Sequence, residues 1–182
     1  MKRSTKLLGV LAAALLTMVV TAVAADDDIV RTRLSGYNET PFTINSSASG
    51  EFTSRIHEDG TAIDFTLTFR DLSSPPNDAH IHFGRPGISG GIVLYLCTNF
   101  TAPVSVPTPQ ACPTAPATIT GTLTAADVLP RSFLGIDAGA AGFAEMLKAI
   151  QADAAYVNVH TATFPSGEIR GRLRSRHDHN DR

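Results

Sequence analysis

Residues 61–69 read Thr-Ala-Ile-Asp-Phe-Thr-Leu-Thr-Phe. The strict alternation of Ile63, Phe65, Leu67 and Phe69 with polar neighbours buries one face only if the segment is a β-strand, because strand side chains repeat every two residues. Residues 48–57 form a second extended run, and Asp59-Gly60 between the two is a hairpin turn signal. Further strands are predicted at 29–37, through the histidines near residue 80, and at 92–97, 117–123, 155–161 and 167–173. Thr124 is placed to cap a helix over 124–129 that Pro130 stops. Phe143, Met146, Leu147 and Ile150 have helical spacing between Gly142 and Asp153. The pattern predicts an all-β fold, an antiparallel β-sandwich or Greek-key barrel of about eight strands, immunoglobulin-like or superoxide-dismutase-like, with one or two short helices in a crossover.

At 182 residues with 43% hydrophobic content, the chain suits one domain with a real core. Lys2, Arg3 and Lys6 precede an apolar run that ends in Ala22-Val23-Ala24-Ala25. A basic start, an apolar middle and small residues at an A-x-A site predict a signal peptide over 1–25, cleaved after Ala24 or Ala25. The competing reading is an uncleaved anchor, since about 17 apolar residues is near the lower limit for a span. Without those three cations, twelve Lys and Arg face seventeen Asp and Glu, a formal charge of −5. Such a surface excludes nucleic acid and anionic membrane as natural partners. The expected layout is a signal peptide (1–25), an acidic lead (26–31), a β domain (32–173) and a disordered polar tail (174–182), in a monomer that is secreted or held outside the cytoplasm.

Export makes a disulfide the expected state of Cys97 and Cys112, which flank a segment rich in Thr, Pro and Ala. Closing a loop of this size stabilises by about 3 kcal/mol in the chain-entropy model. A redox or metal-binding thiol pair is the alternative, but the spacing lacks C-x-x-C geometry.

The stretch Ala79-His80-Ile81-His82-Phe83-Gly84 carries the functional question. On a strand, His80 and His82 share one face while Ala79, Ile81 and Phe83 take the other. Alternate residues lie about 6.6 Å apart, close enough for two imidazoles to converge on one ion. His160 also lies on a predicted strand and completes a three-histidine set if its hairpin neighbours the histidine strand. His57 is expected to be exposed, and His177 and His179 lie in the polar tail.

Together with the glycine-rich turn through Gly91, with Ala155-Tyr156-Val157-Asn158-Val159-His160-Thr161 and with Gly167-Glu168-Ile169-Arg170-Gly171, this stretch resembles the two signature blocks of the CHRD (chordin) domain. The resemblance covers residues 32–173. It departs from the family pattern at Gly91, where proline is common, and at Arg172, where glutamine is common. CHRD domains occur in chordin, an extracellular growth-factor antagonist, and in many exported microbial proteins, and have no established catalytic activity. In chordin, growth-factor binding is attributed chiefly to separate cysteine-rich modules that this chain lacks, so that partner does not follow. His-x-His before Phe-Gly is also similar to copper/zinc superoxide dismutases, but no histidine lies between His82 and His160 to bridge a second ion.

Three readings of the histidines compete. They are partly buried strand residues hydrogen-bonded to neighbours such as Asp78, Asn158 or Glu168, fixing loops; or His80, His82 and His160 hold one copper or zinc ion; or such a site does redox or hydrolytic chemistry with Glu168 as base. Glu168 is otherwise expected to pair with Arg170 or Arg172. No G-x-S-x-G, G-x-G-x-x-G or P-loop pattern supports another chemistry. The sequence favours a non-enzymatic structural or binding module outside the cytoplasm, without a required cofactor and with a protein or glycan partner. The alternative is a mononuclear copper/zinc protein or oxidoreductase using the three histidines.

Overall fold

The computed structural model describes residues 28–174 apart from 102 and 104; the expected signal peptide, residues 26–27 and the tail beyond 174, with His177 and His179, lie outside the described residues. Eight strands follow in order: β1 (Asp28–Ser35), β2 (Ser49–Ile56), β3 (Ala62–Arg70), β4 (Pro76–Phe83), β5 (Gly91–Thr98), β6 (Ala117–Thr124), β7 (Ala155–Thr161) and β8 (Ile169–Leu173). One helix, α1 (Gly139–Gln151), lies between β6 and β7. All strand pairs are antiparallel, in the order β5-β4-β7-β8-β1-β2-β3-β6. The expected all-β architecture is thus realised as one curled sheet.

The alternation that identified β3 is also its packing rule. Ile63, Phe65, Leu67 and Phe69 are all buried, with Phe52 of β2 stacked 6.2 Å from Phe65. Val30, Leu34, Ile81, Val157, Val159 and Ile169 complete the interior from the other strands. Burial of each large side chain contributes about 1.5–3 kcal/mol.

The edge strands β5 and β6 are bridged by loop groups. The Gln110 carboxamide donates to the carbonyls of Leu96 on β5 (3.3 Å) and Thr120 on β6 (2.9 Å), while the Gln110 carbonyl accepts from Thr98 N (2.9 Å). Cys97 and Cys112 form the expected disulfide in the same region. On the far side of β6, Leu129 N donates to Val93 O (2.8 Å) and Val128 bridges Leu94. This recruitment onto β5 is why the helix expected over 124–129 shrinks to one 3-10 turn, Ala125–Asp127. Its cap is as expected: Thr124 Oγ1 accepts from Ala126 N, and Asp127 accepts from Thr124 N. The second expected helix is α1, which begins three residues before Gly142. A Cβ on Gly142 would meet the Asp137 carbonyl, so the helix can turn in tightly only with glycine there.

Glu168 differs from expectation. It is completely buried and pairs with neither Arg170 nor Arg172. Its carboxyl oxygens accept from Ser46 Oγ (2.6 Å), Ser73 N (3.0 Å), Ser73 Oγ (2.9 Å) and Thr161 Oγ1 (2.8 Å). Arg170 is drawn instead to Thr40 and Ile88, and Arg172 to Asp153. Glu168 therefore ties two loops to the end of β7, beside His160. Glu168→Ala leaves several buried donors unpaired, and chemical denaturation should show a loss of about 3 kcal/mol or more. A loss under about 1 kcal/mol would mean the loops are held by other contacts.

Candidate metal centre

The pairing of β4 with β7 brings the histidines together. Asp78 lies opposite His160, His80 opposite Asn158, and His82 opposite Tyr156. Ala79, Ile81, Val157 and Val159 point into the core, so the histidines occupy the outer face of the sheet. That face is covered all the same: His80, His82 and His160 are 1%, 5% and 9% exposed. Two register shifts between β4 and β5, one just before each of His80 and His82, coil the strand locally. The His80 and His82 ring centres are 5.4 Å apart, and the His160 ring is 5.1 Å from His80 and 5.8 Å from His82.

One ligand atom from each ring lies within 4.8 Å of the others. Two nitrogens at about 2.1 Å from one ion can be at most about 4.2 Å apart. The cluster is thus within a small side-chain rotation of ligation.

The hydrogen bonds fix which nitrogens are offered. His82 Nδ1 lies 3.1 Å from Gly90 O, and His160 Nδ1 lies 3.1 Å from Pro165 O. A carbonyl only accepts, so each Nδ1 carries the proton and each Nε2 presents its lone pair. Both Nε2 atoms are buried without a hydrogen-bond partner, as are both ring nitrogens of His80. Asp78 Oδ2 stands 3.4 Å from His80 Nε2. Buried polar atoms are normally paired, so four orphaned nitrogens in one cluster require an explanation.

Electrostatics keeps the rings neutral. Burial, then the neighbouring His160, His82 and Arg131, press the His80 pKa down to about 2. Burial is also the main cause that takes His82 down to about 3, against the Gly90 hydrogen bond, and it lowers His160 against the pull of Asp78. The Asp78 carboxyl is raised by burial, with His160 opposing. Neutral imidazole is the form that ligates a metal.

Aromatic rings hold the imidazoles. Tyr95 meets His80 edge-on at 4.5 Å, and Tyr156 stacks on His82 at 4.6 Å. The Arg170 guanidinium covers the other face of Tyr156, 3.4 Å from its centre, and the Tyr156 hydroxyl accepts from Gly90 N (2.9 Å). Gly90 must be glycine, because a Cβ there would strike Phe83 O. These supports escaped the sequence reading, although Tyr156 shares a strand face with His160. Asn158 and Glu168 do not bond the histidines: Asn158 donates to Glu39 Oε1 (2.5 Å) and Ile169 O (3.0 Å). His57 stands outside the cluster, 2.9 Å from Asp64 across the β2–β3 hairpin, and is only half-exposed.

The family model for the CHRD domain matches residues 30–173, most of the chain and all three histidines. The chain belongs to the CHRD domain family. No curated protein and no solved structure matches it. Membership in the CHRD family and the Cys97–Cys112 disulfide fit an extracellular protein. Among the described residues, no helix is long and apolar enough to cross a membrane.

The depressed histidine pKa values have a consequence for stability of the metal-free CHRD domain. In the unfolded chain these imidazoles protonate near 6.5, while in the folded protein His82 and His80 wait until about 3 and 2. The unfolded state binds more protons in between, so stability falls as pH drops from about 6.5 toward 3. Glu39 opposes this in part: burial raises its carboxyl to about 7, so its own contribution falls as pH rises through about 4.5–7. Chelator-treated protein should lose unfolding free energy between pH 6.5 and 4, and His80→Phe should flatten that slope. Equal slopes in the two proteins would show that His80 is not held neutral.

Proposed function

We propose that this CHRD domain is an exported, non-enzymatic binding module that holds one copper or zinc ion through His80, His82 and His160. The observation that carries the reading is the set of three buried, neutral imidazoles whose ligand atoms lie within 4.8 Å of one another, with Nε2 of His82 and of His160 unpartnered. Carbonyl groups orienting Nδ1 while Nε2 stays free is the outer-shell pattern of metal-ligating histidines.

The chemistry of the donors narrows the ion. Imidazole nitrogen suits copper and zinc, whereas calcium and magnesium require oxygen. Both cysteines are committed to the disulfide. Three protein ligands leave a fourth position, to which Asp78 is the adjacent carboxyl group. A bound dication would relieve the three unpaired Nε2 or Nδ1 lone pairs and balance the charge of Asp78. The sequence offers no bridging histidine for a second ion, so the site is mononuclear.

Metal content should be measured on the full mature chain carrying His177→Ala and His179→Ala, which removes the tail histidines as a source of adventitious binding. About one ion per chain is expected, and His160→Ala should abolish it. An ion at about a hundred times its dissociation constant stabilises by about 2.7 kcal/mol, so a chelator should lower Tm by about 5–10 °C. A metal-free protein whose Tm responds to neither chelator nor added copper and zinc would refute the reading.

A further inference from the structure

Beside the histidines, but separated from them by the Tyr156 ring, a recess of about 520 Å³ opens on the outer face of β8 and β1. Arg31, Arg170, Arg172 and Arg174 line it, together with Tyr156 and Glu39. Ser35 lies opposite Arg170 where β1 meets β8, and Arg31 of β1 lines the recess together with the arginines of β8 and its end. Like charges facing each other across a strand pair are destabilising, and a sheet with no use for them would interleave opposite charges.

The neighbouring carboxylates do not balance this charge. Asp153 is shared between Arg172 (2.5 Å) and Arg174 (3.7 Å). Glu39 has its pKa pushed to about 7 by burial, so it is only partly charged at neutral pH. Arg31 has no ion-pair partner among the described residues, and Arg172 Nε is buried without a hydrogen bond. Four guanidinium groups thus converge in a chain whose formal charge is −2 overall.

Arg170 is spoken for: it donates to Thr40 Oγ1 (2.6 Å) and Ile88 O (2.8 Å) and lies over Tyr156. It sets the floor of the recess, and Arg31 and the Arg172 and Arg174 donors that Asp153 does not engage lie around it. From this arrangement we propose that the recess is a binding site for a small oxyanion, a carboxylate or phosphate group, free or carried on a small organic molecule. Planar guanidinium forks engage both groups bidentately, and the volume falls within the usual range for small-molecule sites. Exposed Tyr37 at the rim offers a ring face to the body of a sugar acid. The site is independent of the metal reading, because none of its donors is a histidine.

Calorimetric titration of the full mature protein with inorganic phosphate, and separately with galacturonic acid, tests the assignment. Saturable binding of either probe is expected, weakening with added salt. Arg172→Gln and Arg31→Gln should each weaken it about tenfold, as loss of a charged hydrogen bond does. Tighter binding of phosphate marks a free oxyanion as the ligand, and tighter binding of the uronate marks an acidic sugar. Arg33→Gln, on the same face outside the recess, and His160→Ala should leave binding unchanged. Arg174→Gln serves as a second variant should Arg31→Gln or Arg172→Gln fail to fold. No saturation by either probe, or equal loss in Arg33→Gln, would overturn the assignment.

Discussion

The ladder between β4 and β7 is the constraint on which the rest of the molecule depends. It joins two segments far apart in sequence and sets His80 and His82 beside His160 on the outer face of the sheet. An outer face is normally left to water, yet here it is sealed. The seal has a physical cost: several polar side chains leave water and must find partners in loops that have no ladder of their own. Glu168 supplies one anchorage, tying Ser46 and Ser73 to the end of β7, and Arg170 supplies another, reaching Thr40 and Ile88. Gly167 lets these elements approach, with a φ of 123° and no room for a Cβ beside Asn158 and Glu39.

Within that sealed face the histidines are an exception. Asn158, Glu39, Glu168 and Arg170 have hydrogen-bond partners, whereas His80, His82 and His160 retain free ring nitrogens directed to one cluster. The contrast separates a polar layer that only holds loops from a group arranged to receive something. Tyr156 stands at the border, with His82 on one face and Arg170 on the other. On its histidine side lie neutral nitrogen donors suited to a cation; on its arginine side lie cationic donors suited to an anion.

Much of this was legible in the sequence, and the reasons are local. Ile63, Phe65, Leu67 and Phe69 announce their strand through period-two burial, and the same rule puts His80 and His82 on one face. His160 joins them only if its hairpin neighbours the histidine strand, the condition that the pairing of β4 with β7 meets. What the sequence concealed depends on contacts between distant segments. Gly90 and Pro165 orient the imidazoles through backbone carbonyls, which carry no residue signature. Glu168 was expected beside its strand neighbours Arg170 and Arg172, but remote serines in two loops satisfy it instead. The short turn at Ala125–Asp127 shows the same effect: its cap was readable, whereas its early end follows from Val128 and Leu129 joining β5.

The central claim is that three imidazoles act together as one ligand set. X-ray absorption spectroscopy of the chain with both tail histidines removed, loaded with one equivalent of copper or zinc, examines that set directly. The account predicts a first shell of three nitrogens at about 2.0–2.1 Å with the outer scattering of three imidazole rings. A shell of oxygens with one imidazole or none would contradict it.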